Sequence, residues 1–268
     1  MDGRTTPESA ADETEVSEEA SVLVTRDGHV ATLTLNRPDR RNAINRAMRK
    51  ALKSELWRAD ADDDVRVVVI TGAGTAFSSG VDLPEALEGP PPRTEGTSPT
   101  QVMRAISKPI IASVNGPCYT GGFELAVNCS FILASDRAEF VDTHAQIGLL
   151  NGWGGSALLP RAVGLPAAIQ IILSGQAVDA ATAERIGLAN EVVPHEQLST
   201  RTMDVAQAIA GGHPRAVQRM LRLLKDGAGA PVAHALGLEA EAGATFRRDN
   251  ADVSARFGRQ REAQSERR

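Results

Sequence analysis

The sequence predicts an α/β core followed by a helical C-terminal region. Three observations carry this reading. A near-continuous β-branched run, VRVVVITG (65–72), has the composition of a strand buried on both faces. Strand-like and helix-like stretches alternate from residue 22 to about residue 190. Residues 199–268 then read as wholly helical, with a Gly-Ala break near 227–230 and an Arg-rich end.

The elements follow in chain order. Residues 1–20 hold seven acidic side chains against Arg4 and almost no large apolar ones, which predicts a disordered acidic leader. VLVTR and HVATLTL alternate around Asp27-Gly28, the pattern of a β-hairpin. Pro38 ends the second strand, and residues 42–62 carry helical spacing. After the strand at 65–72, AGTAFSSGVDL (73–83) reads as a loop leading to a short helix. The Pro- and Gly-rich stretch 88–99 is expected to be a mobile excursion and a candidate lid. A helical piece at 100–107 precedes the strand KPIIASVNG, and a helix opens at Gly121. FILASDRAEFVD (131–142) reads as strand, and Asp179 caps a helix that Gly187 ends. The expected division is leader 1–20, α/β core 21–198 and helical region 199–268.

Composition narrows the function. The chain has 268 residues and is 42% hydrophobic, enough to bury a large core without staples. Only 3% of residues are aromatic, against binding nucleic acid by base stacking. A net charge of −5 supplies no basic field for polyanions. Two cysteines, Cys118 and Cys129, form no CxxC pair, which fits a reduced setting and gives no zinc pattern. No apolar run approaches the roughly 18–20 residues that span a bilayer. The acidic N-terminus is unlike a signal or transit peptide. A cytoplasmic protein with no nucleic-acid partner, no membrane and no metal is expected.

Three segments carry chemistry. Gly121 and Gly122 open an apolar helix in which Glu124 is a lone carboxylate among Phe123, Leu125, Ala126 and Val127. A helix start offers free N–H groups to developing negative charge, and a buried Glu needs a partner or a task. The plainer alternative is a Glu that supports its own helix dipole. TGAGTAFSSG (71–80) resembles a dinucleotide loop but has Phe77 at the third glycine position, so it reads as a strand-to-helix turn. Beyond Gly80, the amide of Val81 is a candidate ligand contact. DTHAQIGLLNGWGGSALLPR (142–161) places His144 in a loop, as either a functional or a structural histidine. Trp153, between glycines, either lines a pocket or packs.

Five blocks in this order resemble the crotonase superfamily, the enoyl-CoA hydratase/isomerase family. They are LNRPDRRNAIN (35–45), VVVITGAGTAFSSGVDL (67–83), KPIIASVNGPCYTGGFELA (108–126), AEFVDTHAQIGLLNGWGG (138–155) and LSGQAVDAATAERIGLANEVV (173–193). The resemblance implies a crotonase-like spiral of ββα units with a helical C-terminal oligomerisation region, assembled as a homotrimer or dimer of trimers. It implies an acyl-CoA thioester as substrate and no cofactor beyond the coenzyme A that the substrate carries. It matches the amides of Val81 and Gly121 to an oxyanion hole, which would stabilise a thioester enolate. Coenzyme A contacts match Arg41, Asn42 and Ala43 and the backbone around Val81, Asp82 and Leu83; Arg40 or Arg41 is either a phosphate contact or a solvated surface arginine. Hydratases of the family use two carboxylates on one water. Glu124 matches the first, whereas His144 stands where the second is expected. Thr120, Ser130 and Pro84 also depart from the hydratase pattern. The implied activity is enoyl-CoA hydratase-like with an atypical Glu/His pair. Isomerisation, decarboxylation, thioester hydrolysis, or acyl-CoA binding with weak catalysis are the alternatives.

Overall fold

The computed structural model describes residues 20–87 and 98–249. The expectations for a disordered leader and for a lid at 88–99 therefore fall mainly outside the described residues.

β1 (Val22–Asp27) and β2 (Val30–Leu35) form the expected hairpin, with Asp27 paired to Val30. The two connecting residues are thus Gly28 and His29, one position later than the Asp27-Gly28 reading, and Gly28 takes a φ of +54°. Helix α1 (Arg46–Ala61) starts four residues after the predicted position. Asn45 caps it by accepting the Met48 N–H at 2.9 Å. The residues before it form a 3₁₀ turn (Pro38–Arg40) and two left-handed residues, Arg41 and Asn42, with φ of +47° and +54°.

β3 (Val67–Gly72) leads through the Gly/Ser loop to α2 (Leu83–Leu87), and α3 (Pro99–Ala105) carries a Ser98/Gln101 capping box. β4 (Ile110–Val114), β5 (Pro117–Tyr119) and α4 (Gly121–Val127) follow. The stretch 131–142 is two strands, β6 (Phe131–Ser135) and β7 (Glu139–Val141), in different sheets. The turn at Asp136 and Arg137 redirects the chain, with Asp136 N–H bonded to Val193 O at 2.9 Å.

α5 (Gly155–Val163) and α6 (Leu165–Ser174) precede β8 (Val178–Asp179). Asp179 does cap α7 (Ala180–Arg185), and β9 (Glu191–Val193) closes the core. The described part of the C-terminal region is α8 (Leu198–Ala210), α9 (Pro214–Gly227) and α10 (Val232–Asp249). The break after Gly227 is where the sequence placed it. A further break at 211–213, where Gly211 and Gly212 end α8 and Pro214 starts α9, departs from the continuous helix expected there.

The main sheet has the order β1-β2-β3-β4-β6-β9, parallel from β2 onward. β3 is buried on both faces. Val68 and Ile70 join the core with Met48, Leu52 and Leu56 of α1, while Val67 and Val69 pack with Leu198, Ala206 and Ala210 of α8. β5, β7 and β8 form a second sheet. Isolated bridges extend that layer, pairing Ile44 with Val81 and Ser78 with Cys118, and Cys118 pairs in turn with Phe140. Successive segments therefore add one strand to the first sheet and then one strand or bridge to the second. This is the winding of a ββα spiral. Its second layer brings residues 43–44, 78–82, 118–124 and 141–144 side by side.

Candidate active site

Asn42 anchors the first wall. Its side chain is buried, accepts the Arg37 N–H at 2.9 Å, and donates to the carbonyls of Ala73 (2.9 Å) and Ala76 (2.8 Å). Short polar side chains tolerate the left-handed conformation found there. The neighbouring bridge is made by Ile44 N–H to Gly80 O (2.7 Å) and Asp82 N–H to Ile44 O (3.2 Å). Val81, between those two bonds, turns its own N–H out of the bridge. Gly80 has a φ of +97°, and a Cβ on it would lie 3.2 Å from the amide nitrogen of Gly121. Only glycine lets the two backbones come this close.

The second wall is the start of α4. Thr120, at a φ of +50°, donates its N–H to Val141 O at 2.7 Å and pairs its hydroxyl with that of Thr143. Gly121 is the first helical residue, so its N–H has no intrahelical acceptor. Neither this N–H nor that of Val81 has a hydrogen-bond partner among the described residues. A Cβ on Gly121 would lie 3.2 Å from Val81 N and 3.5 Å from Cζ3 of Trp153. Two unpaired amides thus flank one small space, with the Trp153 ring against it.

Glu124 sits one turn further on and is only 2% exposed. Its Oε1 accepts the N–H groups of Trp153 (2.8 Å) and Gly155 (2.9 Å). Asn128 donates to the Glu124 carbonyl (2.7 Å) and the Trp153 carbonyl (2.9 Å), and Arg104 donates to both Asn128 Oδ1 and Trp153 O. The loop that grips the carboxylate is therefore itself held by α3 and α4. The other oxygen, Oε2, lies 3.5 Å from Nε2 of His144.

His144 is buried, and its Nδ1 lies 2.6 Å from Oδ1 of Asp142. Asp142 also accepts the His144 backbone N–H at 3.0 Å and the Asn151 amide at 2.7 Å. An acceptor this close assigns the ring proton to Nδ1, leaving Nε2 toward Glu124. Burial pushes the His144 imidazole down. The Asp142 hydrogen bond and the charges of Asp142 and Glu124 outweigh it and hold the group above 6.5. For Asp142, burial acts upward, but hydrogen bonds from His144 and Asn151 leave the carboxyl below its usual range.

These groups open onto a cleft of about 800 Å³, within the usual size range for small-molecule sites. Of the residues singled out from sequence, Ala43, Val81, Asp82, Leu83, Glu124, His144 and Trp153 line it. Gly121 is not itself among the lining residues, although a Cβ on it would lie 3.0 Å from Cγ2 of Val81 and 3.5 Å from Cζ3 of Trp153, both of which are. Arg41 is exposed and lies off the lining, whereas Arg40, the alternative, lies on it. Arg37 ties Asp82 (2.7 Å) to the Ala43 carbonyl (2.7 Å), a contact not anticipated from sequence. Asp142 and Asn151 were missed as well. The Asp142–His144 spacing held a signal, because alternate residues of an extended segment face the same side.

The sequence and the fold have known counterparts. The enoyl-CoA hydratase/isomerase family model matches residues 25–256. A protein of Arabidopsis thaliana named as a probable peroxisomal enoyl-CoA hydratase is 36% identical over 229 residues, covering 84% of this chain and 86% of its own. The crystal structure of an enoyl-CoA hydratase subunit from Geobacillus kaustophilus superposes with a TM-score of 0.84 at 30% identity, covering 91% of this chain and 97% of the other. An enoyl-CoA hydratase structure from Mycobacterium tuberculosis is 40% identical, with a TM-score of 0.71 over 85% of this chain and 99% of that one. With its spiral of ββα units and these relatives, the chain belongs to the enoyl-CoA hydratase/isomerase family of the crotonase superfamily.

Proposed function

We propose that the chain is an acyl-CoA-processing enzyme that adds water to 2-enoyl-CoA thioesters. The observation that carries this reading is the placement of two unpaired amides, Val81 and Gly121, beside the facing pair Glu124 and His144. The amides form an oxyanion hole that holds the thioester carbonyl. Water adds to Cβ as Glu124 Oε2 accepts one of its protons, and negative charge gathers on the thioester oxygen as an enolate. The His144 imidazolium then gives its Nε2 proton to Cα. The product is the 3-hydroxyacyl-CoA. Glu124 now holds one extra proton and His144 lacks one, so transfer between them resets the site. Each hole donor is worth about 3–4 kcal/mol and the acid–base pair about 10²–10⁴-fold.

Leu83, Ile147, Leu149, Leu150 and Trp153 give the cleft an apolar side suited to an acyl chain. Exposed Arg40 at the cleft is the candidate phosphate contact, with Ala43 and the Val81–Leu83 backbone along the coenzyme A. Purified protein and a panel of 2-enoyl-CoA thioesters, read by product mass, test the reading. A gain of one water supports it. An unchanged mass with a moved double bond, loss of carbon dioxide, or release of free coenzyme A assigns one of the other enolate reactions. Tight acyl-CoA binding with no product from any chain length assigns a binding protein.

The chain is further proposed to act as a homotrimer or dimer of trimers. Exposed Met220 and Leu224 on α9 line an apolar groove against α10, together with Leu223, Ala235 and Phe246, and such a groove favours self-association. Light scattering on the eluting species reads the subunit number. Among the described residues no helix is long and apolar enough to cross a membrane. The acidic composition and low cysteine count support a cytoplasmic setting, which subcellular fractionation tests.

A further inference from the structure

Resting on the hydration reading, we infer that Asp142 is a positioning residue that fixes His144 in the Nδ1–H tautomer and aims its Nε2 at Glu124. Asp142 follows directly on β7, whose last residue, Val141, takes the Thr120 N–H at 2.7 Å. The carboxylate is thereby fixed relative to the start of α4, the element that carries Glu124. It accepts the His144 ring at 2.6 Å, the His144 backbone N–H at 3.0 Å and the Asn151 amide at 2.7 Å. A carboxylate held by three donors has little freedom to leave the imidazole.

The second group beside the ring shows what Asp142 prevents. The Asn151 amide nitrogen lies 3.0 Å from His144 Nδ1 while donating to the other oxygen of Asp142. With the carboxylate gone, that amide becomes the nearest partner of Nδ1, and as a donor it selects the opposite tautomer. A neutral imidazole with its proton on Nε2 presents no lone pair toward Glu124. It could give that proton to Cα only by becoming an imidazolate, so the cycle stalls. Asp142 and Glu124 are the ionisable groups that face the ring, one from its own segment and one from α4.

The test uses the full-length protein and ¹⁵N NMR of the imidazoles, with the His144 signals assigned by their loss in His144→Gln. In the wild type the neutral ring carries its proton on Nδ1. In Asp142→Ala, which removes the acceptor and leaves the Asn151 amide as the nearest partner of Nδ1, the proton moves to Nε2 and the titration midpoint falls. Turnover of a 2-enoyl-CoA falls by about 10²–10⁴-fold, the contribution of a general acid–base group. Acyl-CoA affinity stays within about threefold, a split that general damage to the fold would not give. A wild-type neutral ring protonated on Nε2 overturns the inference, and that spectrum does not depend on any variant folding. So does an Asp142→Ala spectrum with tautomer and midpoint unchanged. The spectrum reads the positioning and turnover reads the reaction, so hydration failing on every thioester is distinguishable from a failure of Asp142 to orient the ring.

Discussion

Nε2 of His144 faces Oε2 of Glu124 at 3.5 Å, with the two side chains only 8% and 3% exposed. One is fixed from behind by the amides of Trp153 and Gly155, the other by Asp142. The Oε2 and Nε2 edges are left facing each other, and the opposite edge of each group is spent on orientation. That division explains how an imidazole can stand where a second carboxylate is expected without disordering the site.

Glu124→Gln separates the two edges of that carboxylate. A glutamine Oε1 still accepts the Trp153 and Gly155 amides, so the fold and acyl-CoA binding persist. The group facing His144 no longer takes a proton, and kcat is expected to fall about 10²–10⁴-fold. Steady-state kinetics with calorimetric acyl-CoA binding check the split.

The raised His144 value sets the pH behaviour. An imidazolium acid is lost as pH rises through the folded-state value, so kcat/KM declines on the alkaline side with a midpoint above 6.5. Stability follows the same group. Its contribution is complete below the ordinary 6.5 and disappears as pH rises through the higher folded value. Asp142 acts in the opposite sense, contributing above 3.8 and losing that contribution as pH falls through its lowered value. The stability gap between wild type and His144→Gln is therefore widest from about pH 4 to pH 6.5 and narrows in alkali. Denaturant titrations across pH measure it.

Gly121→Ala and Gly122→Ala differ in kind. On Gly121, a Cβ would lie 3.0 Å from Val81 Cγ2 and 3.2 Å from Val81 N, crowding the space between the two amides. Turnover is expected to drop about 10²-fold while the protein stays folded. On Gly122, a Cβ would lie 2.7 Å from both Cβ and the carbonyl oxygen of Ser78, a buried contact with backbone that cannot yield. The expected cost is about 1–3 kcal/mol of stability. Thermal melts and kinetics on both variants separate the effects.

Asn42→Ala removes an amide that accepts from Arg37 and donates to Ala73 and Ala76. Buried backbone groups lose their partners, and alanine tolerates the φ of +54° poorly. A loss of about 2–4 kcal/mol is expected, together with weaker acyl-CoA binding because the Ala43–Ile44 segment loosens against Val81. Chemical denaturation reads the first effect and calorimetry the second.

The main sheet was legible because β2 alternates within a hairpin pattern and β3 and β4 are apolar runs bounded by turns. The second layer was not. β5, β7 and β8 are two or three residues each, too short to show an alternating pattern, and their pairing crosses from one turn of the spiral to the next. The site divides similarly. Glu124 stood out as a carboxylate in an apolar run, and the glycines marked the amide of Gly121. Asp142 looked like the polar end of a strand, and Asn151 like an ordinary loop residue. Only folding places both against His144. The helical start at 42 failed because Asn42 is spent on bridging two loops, so the cap falls to Asn45.

The most direct test of the central claim is a crystal structure of the protein with a bound 3-hydroxyacyl-CoA. The account predicts the thioester oxygen within about 3.1 Å of the Val81 and Gly121 amide nitrogens, with the 3-hydroxyl within hydrogen-bond reach of Glu124 Oε2 and Nε2 of His144 facing Cα. A thioester oxygen bonded elsewhere, or a 3-hydroxyl remote from both Glu124 and His144, would contradict it.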